Sequence, residues 1–297
     1  MPTLRLLSAQ LAIGAAAIFA RYALEGAGPL AVSALRLGIA ALIALAIAGR
    51  LAPLPREREG AFALAGLALA THFATWIGSL AYTSVAISTL LVTTTPIWTE
   101  LYDVVRLRRA PTRTYVVALA LALAGIALIA FQSDAPAPLP GHAAIGAALA
   151  LAGSFAIGAY LILVRDASTF ADGGRVGTRA IVARTYGWSA LALCLAAAFA
   201  RQGPPAPSHL AAWGGILAMA LVSQMLGHTA LNAALRHFTP STIALSTLLE
   251  PVIAALLAAV LFQERIAPTG ILGGVLVLLA VGTTLRAGAT LAAARAA

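Results

Sequence analysis

The sequence predicts an all-α polytopic membrane protein with ten transmembrane helices, arranged as two five-helix inverted repeats. The first observation is composition: of 297 residues, 61% are hydrophobic and 10% are charged, and the mean hydropathy is +0.94. The second is that apolar stretches of about 20 residues, the length that crosses a bilayer as a helix, recur ten times. The third is that five stretches lie on each side of a Pro-rich segment at residues 132–142.

This composition excludes several classes of protein. A soluble domain carries about a quarter charged residues, so a soluble enzyme or binding module is excluded. The abundance of apolar residues also excludes intrinsic disorder. The single cysteine, Cys194, can form no intramolecular disulfide and offers no cysteine pair to a metal. We expect neither a metal nor a cofactor.

The apolar stretches end at charges and at Pro/Gly clusters, and we number them spans one to ten. Backbone in lipid must satisfy its own hydrogen bonds, and the runs are continuous rather than alternating, so helices are predicted and not barrel strands. The connections are too short for an extramembrane domain. The predicted spans are residues 6–24, 30–49, 60–81, 84–105, 114–131, 143–164, 180–200, 210–235, 240–262 and 268–286.

The basic residues predict the orientation of the chain. All 19 of them are arginine, and the net charge is +9. With the N-terminus in the cytoplasm, 15 arginines flank cytoplasmic span ends, and only Arg201 and Arg265 lie on the opposite side. The positive-inside rule therefore predicts that both termini are cytoplasmic. Contact with anionic lipid headgroups is a second interpretation of the same charges, and no nucleic acid partner is expected.

An internal repeat predicts two halves of opposite topology. The motif Ala-Pro-Thr at 110–112 recurs at 267–269, and Gly125 matches Gly282 at the same offset of 157 residues. Five spans per half force opposite orientations, as in the inverted repeats of many secondary transporters, whose sites lie near the membrane midplane. The predicted repeats are residues 1–137 and 138–297.

Two spans carry stripes of polar and aromatic side chains, which are costly in lipid and tend to face a cavity or the bundle interior. In span three, His72, Trp76, Ser79 and Tyr82 follow helical spacing along one face, and in span eight Gln224, His228 and Asn232 do the same. The two stripes are predicted to line a shared pathway. The alternative is that such residues join helices by hydrogen bonds.

Each half also contains a proline inside a span, Pro96 in span four and Pro251 in span nine. Paired Pro-interrupted spans in equivalent positions point to a transporter site, whereas plain helix bending is the alternative. Hydroxyl and indole side chains lie beside these prolines. The predicted substrate-binding set is therefore His72, Trp76, Ser79, Tyr82, Thr94, Thr95, Trp98, Gln224, His228, Asn232 and Ser246.

Two charged residues fall within or near span interiors, Glu250 in span nine and Arg36 in span two. An intramembrane carboxylate is a functional candidate. Glu250 is predicted either to couple transport to a proton, to bind an ammonium group, or to form an ion pair with an arginine such as Arg36. The sequence alone assigns Arg36 no carboxylate partner.

Across nearly the whole chain, the sequence resembles the EamA type of the drug/metabolite transporter superfamily, and within it the YddG-like amino acid exporters. The motifs that carry the resemblance are Leu35–Leu37, Leu249–Val252 and Phe262–Arg265. In the first half, the family usually has an acidic residue where this chain has Val105–Arg109. A paired role of Glu264 with that acidic residue is therefore not supported in this chain. The resemblance implies export of amino acids, aromatic ones included, across the bacterial inner membrane.

The leading hypothesis is thus a secondary exporter of amino acids that works by alternating access through a cavity between spans three, four, eight and nine. Its expected partners are a small-molecule substrate and the bilayer, and the chain can act as a monomer. One alternative is export of other small metabolites or drugs. A remote alternative is an intramembrane enzyme using Ser79 and His72, but their separation of about 10 Å along the helix axis is too great for direct base activation.

Overall fold

The structure is a computed structural model that describes residues 2–130, 142–170, 172–262 and 266–294. All named elements within these residues are helices, so the predicted all-α class is confirmed. The first five spans are built from Pro2–Gly14 with Ala16–Leu24, then Pro29–Ala48, Arg56–Ser79, Val85–Val92 with Thr95–Arg106, and Arg113–Ala130. The last five are Ala143–Ser168, Thr178–Phe199, Leu210–Ala234, Pro240–Phe262 and Pro268–Ala294.

The predicted span ends differ from the helix ends by a few residues. Span one begins at Pro2 rather than residue 6, and span three begins at Arg56 rather than residue 60. The predicted ends stopped at charged residues, whereas a helix can continue through Arg5 or Arg56 because these side chains reach the headgroup region. Within the described residues, nine helices are long and apolar enough to cross a membrane. Span four is absent from these nine because it is broken in its middle.

Helices of one half pack against helices of the other throughout the bundle. Span one packs on span eight, and span three packs on span six. Span one corresponds to span six, and span three corresponds to span eight. Each of the two contacts is therefore the counterpart of the other, as an inverted repeat requires. Spans two and seven pack together, as do spans five and ten. The space between the halves is consequently enclosed by both of them.

Spans five and ten approach most closely at two glycines. A Cβ atom on Gly125 would collide with the carbonyl oxygen of Gly273, and a Cβ atom on Gly273 would collide with that of Gly125. Small residues allow this approach of two backbones in lipid. Gly282, which the sequence repeat pairs with Gly125, has no atom of the described residues outside its own helix within 4 Å of its added Cβ. Gly125 and Gly282 therefore correspond in sequence but do not occupy equivalent positions in the packing of the helices.

Charged and hydroxyl side chains join the halves at the end of the bundle where span one begins, which we call the terminal end. Arg184 Nε in span seven lies 2.7 Å from Glu59 Oε2 in span three. Arg165 Nη1 in span six lies 3.8 Å from Asp103 Oδ1 in span four. Ser241 Oγ in span nine donates to Asp103 Oδ2 at 3.2 Å. Arginines that were predicted to set orientation thus also fasten the two halves.

At the opposite, far end of the bundle, Gln202 fastens the halves. After span seven ends at Phe199, Arg201 adopts φ +54° and the Gln202 N–H donates to the Ala197 carbonyl over 2.9 Å, a Schellman-type ending. The Gln202 Oε1 then accepts hydrogen bonds from the Leu30 N–H at 2.8 Å and the Ala31 N–H at 3.3 Å. These are orphan donors in the first turn of span two. One half therefore caps a helix of the other.

Candidate functional site

A cavity of about 40 Å³ lies between the two halves. This volume holds a few water molecules. The residues that line it come from spans one, two, three, four, six, eight and nine, and they are Ile13, Ala16, Arg36, His72, Phe73, Trp76, Val92, Thr93, Thr95, Ile157, Leu161, His228, Leu231, Thr247 and Glu250.

The break in span four lies at the cavity wall. Its two helices, Val85–Val92 and Thr95–Arg106, meet at a turn, with Pro96 in the first turn of the second helix. Proline is tolerated there because its missing N–H has no helical partner to lose. The Val92 carbonyl that Pro96 cannot reach accepts a hydrogen bond from Thr95 Oγ1 at 3.0 Å. The threonines beside the proline therefore satisfy the broken backbone.

Span nine is interrupted at the corresponding place. A 3-10 turn at Thr247–Leu249 precedes the helix Glu250–Phe262, and Pro251 is the second residue of that helix. Pro251 has no N–H to donate to the Thr247 carbonyl. The Glu250 N–H donates to this carbonyl instead. Thr247 and Glu250 both line the cavity. The two predicted proline positions thus mark two helix breaks, one in each half, on the same cavity.

Four rings form a wall that we call the aromatic wall, made of His72, Phe73, Trp76 and His228. The rings of His72 and Trp76 are stacked with centroids 6.1 Å apart, and those of Phe73 and His228 meet edge to face at 5.3 Å. His72 Nδ1–H donates to the Gly153 carbonyl at 2.9 Å, which fixes the ring, since a carbonyl oxygen only accepts. Gly153 of span six thereby fixes the His72 ring of the aromatic wall.

Arg36 is fully buried, and three contacts orient it. Its Nε donates to Gln224 Oε1 at 3.1 Å, its Cζ lies 3.9 Å above the ring centroid of Phe73, and its Nη1 lies 3.9 Å from the sulfur of Met219. In the described ranges of the chain, its Nη2 has no hydrogen-bond partner. Within the described part of the chain, no ion pair of 4.0 Å or less joins Arg36 to Glu250. The two opposite charges therefore face one cavity without direct contact.

Gln224 lies in a segment that is not an α-helix. Residues Met219–His228 wind as a π-helix, so the spacing of Gln224 and His228 differs from the single α-helical face that the sequence predicts. Both side chains are nevertheless buried. The Gln224 carbonyl accepts a hydrogen bond from the Tyr186 hydroxyl at 3.3 Å. π-Helical segments often lie at functional sites.

Two stretches of the chain, residues 3–131 and 144–286, match the sequence profile of the EamA-like transporter family. The chain belongs to the EamA-like transporter family. One crystal structure, whose description names no function, aligns with this transporter over 98% of each chain. The sequence identity is 16% and the TM-score is 0.77. That likeness shows the fold alone. No curated protein matches the transporter.

The predicted site residues of the transporter divide into two groups. The six that line the cavity are Arg36, His72, Trp76, Thr95, His228 and Glu250. The others lie behind or beside it. Gln224 holds Arg36, and the Tyr160 hydroxyl donates to Asn232 Oδ1 at 2.9 Å. Gln10 Nε2 donates to Ser246 Oγ at 2.8 Å.

Apart from Tyr82, the remaining predicted residues lie in contacts between helices. Trp98 Nε1 donates to Ser154 Oγ at 3.1 Å, and the hydroxyls of Thr94 and Ser154 share a hydrogen bond of 2.9 Å. The hydroxyls of Ser79 and Ser88 are 2.6 Å apart. Tyr82 was predicted to lie on the helical face of span three, but that helix ends at Ser79 and Tyr82 lies in the turn that follows, with its ring 6.4 Å from that of His142. Glu264 and the predicted boundary between residues 137 and 138 lie outside the described residues.

Sequence reasoning missed the apolar part of the lining. Ile13, Ile157 and Leu231 line the cavity but have no polar group to distinguish them from lipid-facing residues. Phe73 was also missed, although its position next to His72 in span three could have indicated it. Its contact with Arg36 depends on the packing of two helices, which the sequence does not display.

Proposed function

We propose that this transporter exports amino acids, aromatic and neutral ones included, by alternating access through the cavity between its halves. The observation that carries the proposal is the cavity itself, because both helix breaks and the aromatic wall face it. Ring faces and edges attract apolar and aromatic side chains. Transport, rather than catalysis, is the activity that the family and this cavity support.

We also propose that the transporter lies in the bacterial inner membrane with both termini in the cytoplasm. The support is the distribution of arginine, with 15 of 19 at span ends on the side of the termini. The single native cysteine makes a direct test practical. In a Cys194→Ser background, a cysteine placed at residue 2 should be labelled by a membrane-impermeant thiol reagent only after permeabilisation of the cells.

Substrate class is tested with purified protein in liposomes. Labelled phenylalanine, tryptophan and leucine should cross the membrane faster than in protein-free liposomes, and His228→Ala should reduce their flux. A wild-type protein that moves another metabolite but none of these amino acids would overturn the substrate assignment and favour the export of other metabolites or drugs.

A further inference from the structure

Arg36 lines the cavity and has an unfilled hydrogen-bond donor. The side chain is fully buried, yet its Nη2 has no hydrogen-bond partner among the residues that the structure describes. A buried polar group without a partner is costly, and a buried charge more so. Because Gln224 fixes Nε and Phe73 covers one face, the guanidinium is held in a single orientation. The donor that remains suits a planar anion such as a carboxylate.

Glu250 presents the complementary group. Its side chain is half-buried and lines the same cavity, at the first residue of the second helix of span nine. Within the described residues, its carboxylate makes no side-chain hydrogen bond and no ion pair of 4.0 Å or less. A carboxylate in this position accepts hydrogen bonds from an ammonium group.

We propose that Arg36 binds the α-carboxylate and Glu250 the α-ammonium of a zwitterionic amino acid. This inference rests on the proposed function and deepens it by assigning the two charged contacts. A zwitterion placed between the two residues compensates both charges at once. A ligand with only one of the two groups leaves either Arg36 or Glu250 uncompensated, and an uncompensated buried charge weakens binding.

The assignment separates two sources of selectivity. The charged groups common to all amino acids bind Arg36 and Glu250, and the variable side chain is left to the aromatic wall of His72, Phe73, Trp76 and His228. The transporter should therefore accept side chains of several sizes and reject compounds that lack either charge, whatever their aromatic character.

The test combines ligands that lack either the carboxylate or the ammonium group with variants that lack the residue proposed to bind that group. The ligands are phenylalanine, phenethylamine (no carboxylate) and phenylpropionate (no ammonium), and the readouts are inhibition of labelled phenylalanine flux and ligand-dependent thermal stabilisation. For the wild type, each truncated ligand should bind at least about tenfold more weakly than phenylalanine, the effect of losing one charged hydrogen bond.

The variants give the decisive result. Arg36→Gln should weaken phenylalanine at least about tenfold while leaving phenethylamine nearly unchanged, and Glu250→Gln should weaken phenylalanine but not phenylpropionate. Binding of phenethylamine by Arg36→Gln also shows that this variant is folded. Arg179→Gln and Glu57→Gln, which remove the same charges from exposed positions, should match the wild type.

Two different outcomes separate this inference from the proposed function. If phenylalanine is transported but the three ligands compete equally, or if Arg36→Gln weakens all three to the same extent, the assignment of the charged contacts is wrong and amino acid transport stands. If the wild type neither binds nor transports phenylalanine or any other amino acid, the proposed function itself is wrong.

Discussion

Arg36 in span two donates a hydrogen bond from its Nε to Gln224 Oε1 in span eight, over 3.1 Å. The two residues are 188 positions apart in sequence and belong to opposite halves. The second half thereby sets the orientation of the only arginine among the residues lining the cavity in the described structure. Any relative motion of the two halves must stretch or re-form this bond.

Replacing Gln224 by glutamate should reduce apparent affinity for amino acids. The new carboxylate would lie beside the Arg36 guanidinium and compete with the carboxylate of the substrate. We expect the half-saturating phenylalanine concentration to rise about tenfold or more, as measured by concentration-dependent flux. Gln224→Met, which removes the acceptor without adding a charge, should have a smaller effect. Equal affinities for Gln224→Glu and the wild type would argue against this role.

Trp76→Ala should reduce flux of aromatic amino acids more than flux of alanine, because Trp76 belongs to the aromatic wall. The expected loss for tryptophan transport is about two- to twelvefold, as for one aromatic contact of about 0.5–1.5 kcal/mol. Trp188→Ala is the matched control, since Trp188 is 39% exposed on the outside of the bundle. A loss of equal size for all substrates would indicate a structural defect instead.

Joining spans four and nine at the terminal end should stop transport. Asp103 and Ser241 are hydrogen-bonded there, and Cys194→Ser removes the single native thiol. In Asp103→Cys/Ser241→Cys, a short bis-methanethiosulfonate reagent should lower flux to background, and a reductant should restore it. Each single-cysteine variant treated with the same reagent is the control. Full flux through the crosslinked protein would contradict alternating access at this end.

Gly125→Ala should destabilise the transporter, because the added Cβ collides with the Gly273 carbonyl. Overpacking of this kind costs about 1–3 kcal/mol, which we expect to appear as a lower melting temperature in detergent. Gly282→Ala meets no atom within 4 Å and should be as stable as the wild type or slightly more stable, because alanine favours helix. Equal melting temperatures for the two variants would contradict the close approach of spans five and ten.

The parts of the fold that depend on local composition could be predicted from the sequence. Hydrophobic length located all ten spans, and the paired prolines located both helix breaks, because proline removes a specific backbone donor. The positions of polar residues such as His72 and Glu250 on the cavity were predictable for a related reason, since polar groups are rare in lipid.

The rest depends on contacts between distant parts of the chain. No local pattern reveals that Gln202 caps span two or that Gln224 holds Arg36, because each contact requires the two halves to be docked. The π-helix at Met219–His228 was likewise unpredictable, since its residues also suit an α-helix. Trp98 is a residue that the sequence wrongly placed in the lining. Its position in span four resembles that of a lining residue, but its indole donates to Ser154 beside the cavity.

Amino acid transport through this cavity is tested by counterflow of labelled phenylalanine into liposomes that contain the purified transporter and excess unlabelled phenylalanine. We predict saturable accumulation well above that of protein-free liposomes, strongly reduced in Arg36→Gln. Folded wild-type protein that gives no accumulation of phenylalanine or of any other amino acid would contradict amino acid transport through this cavity.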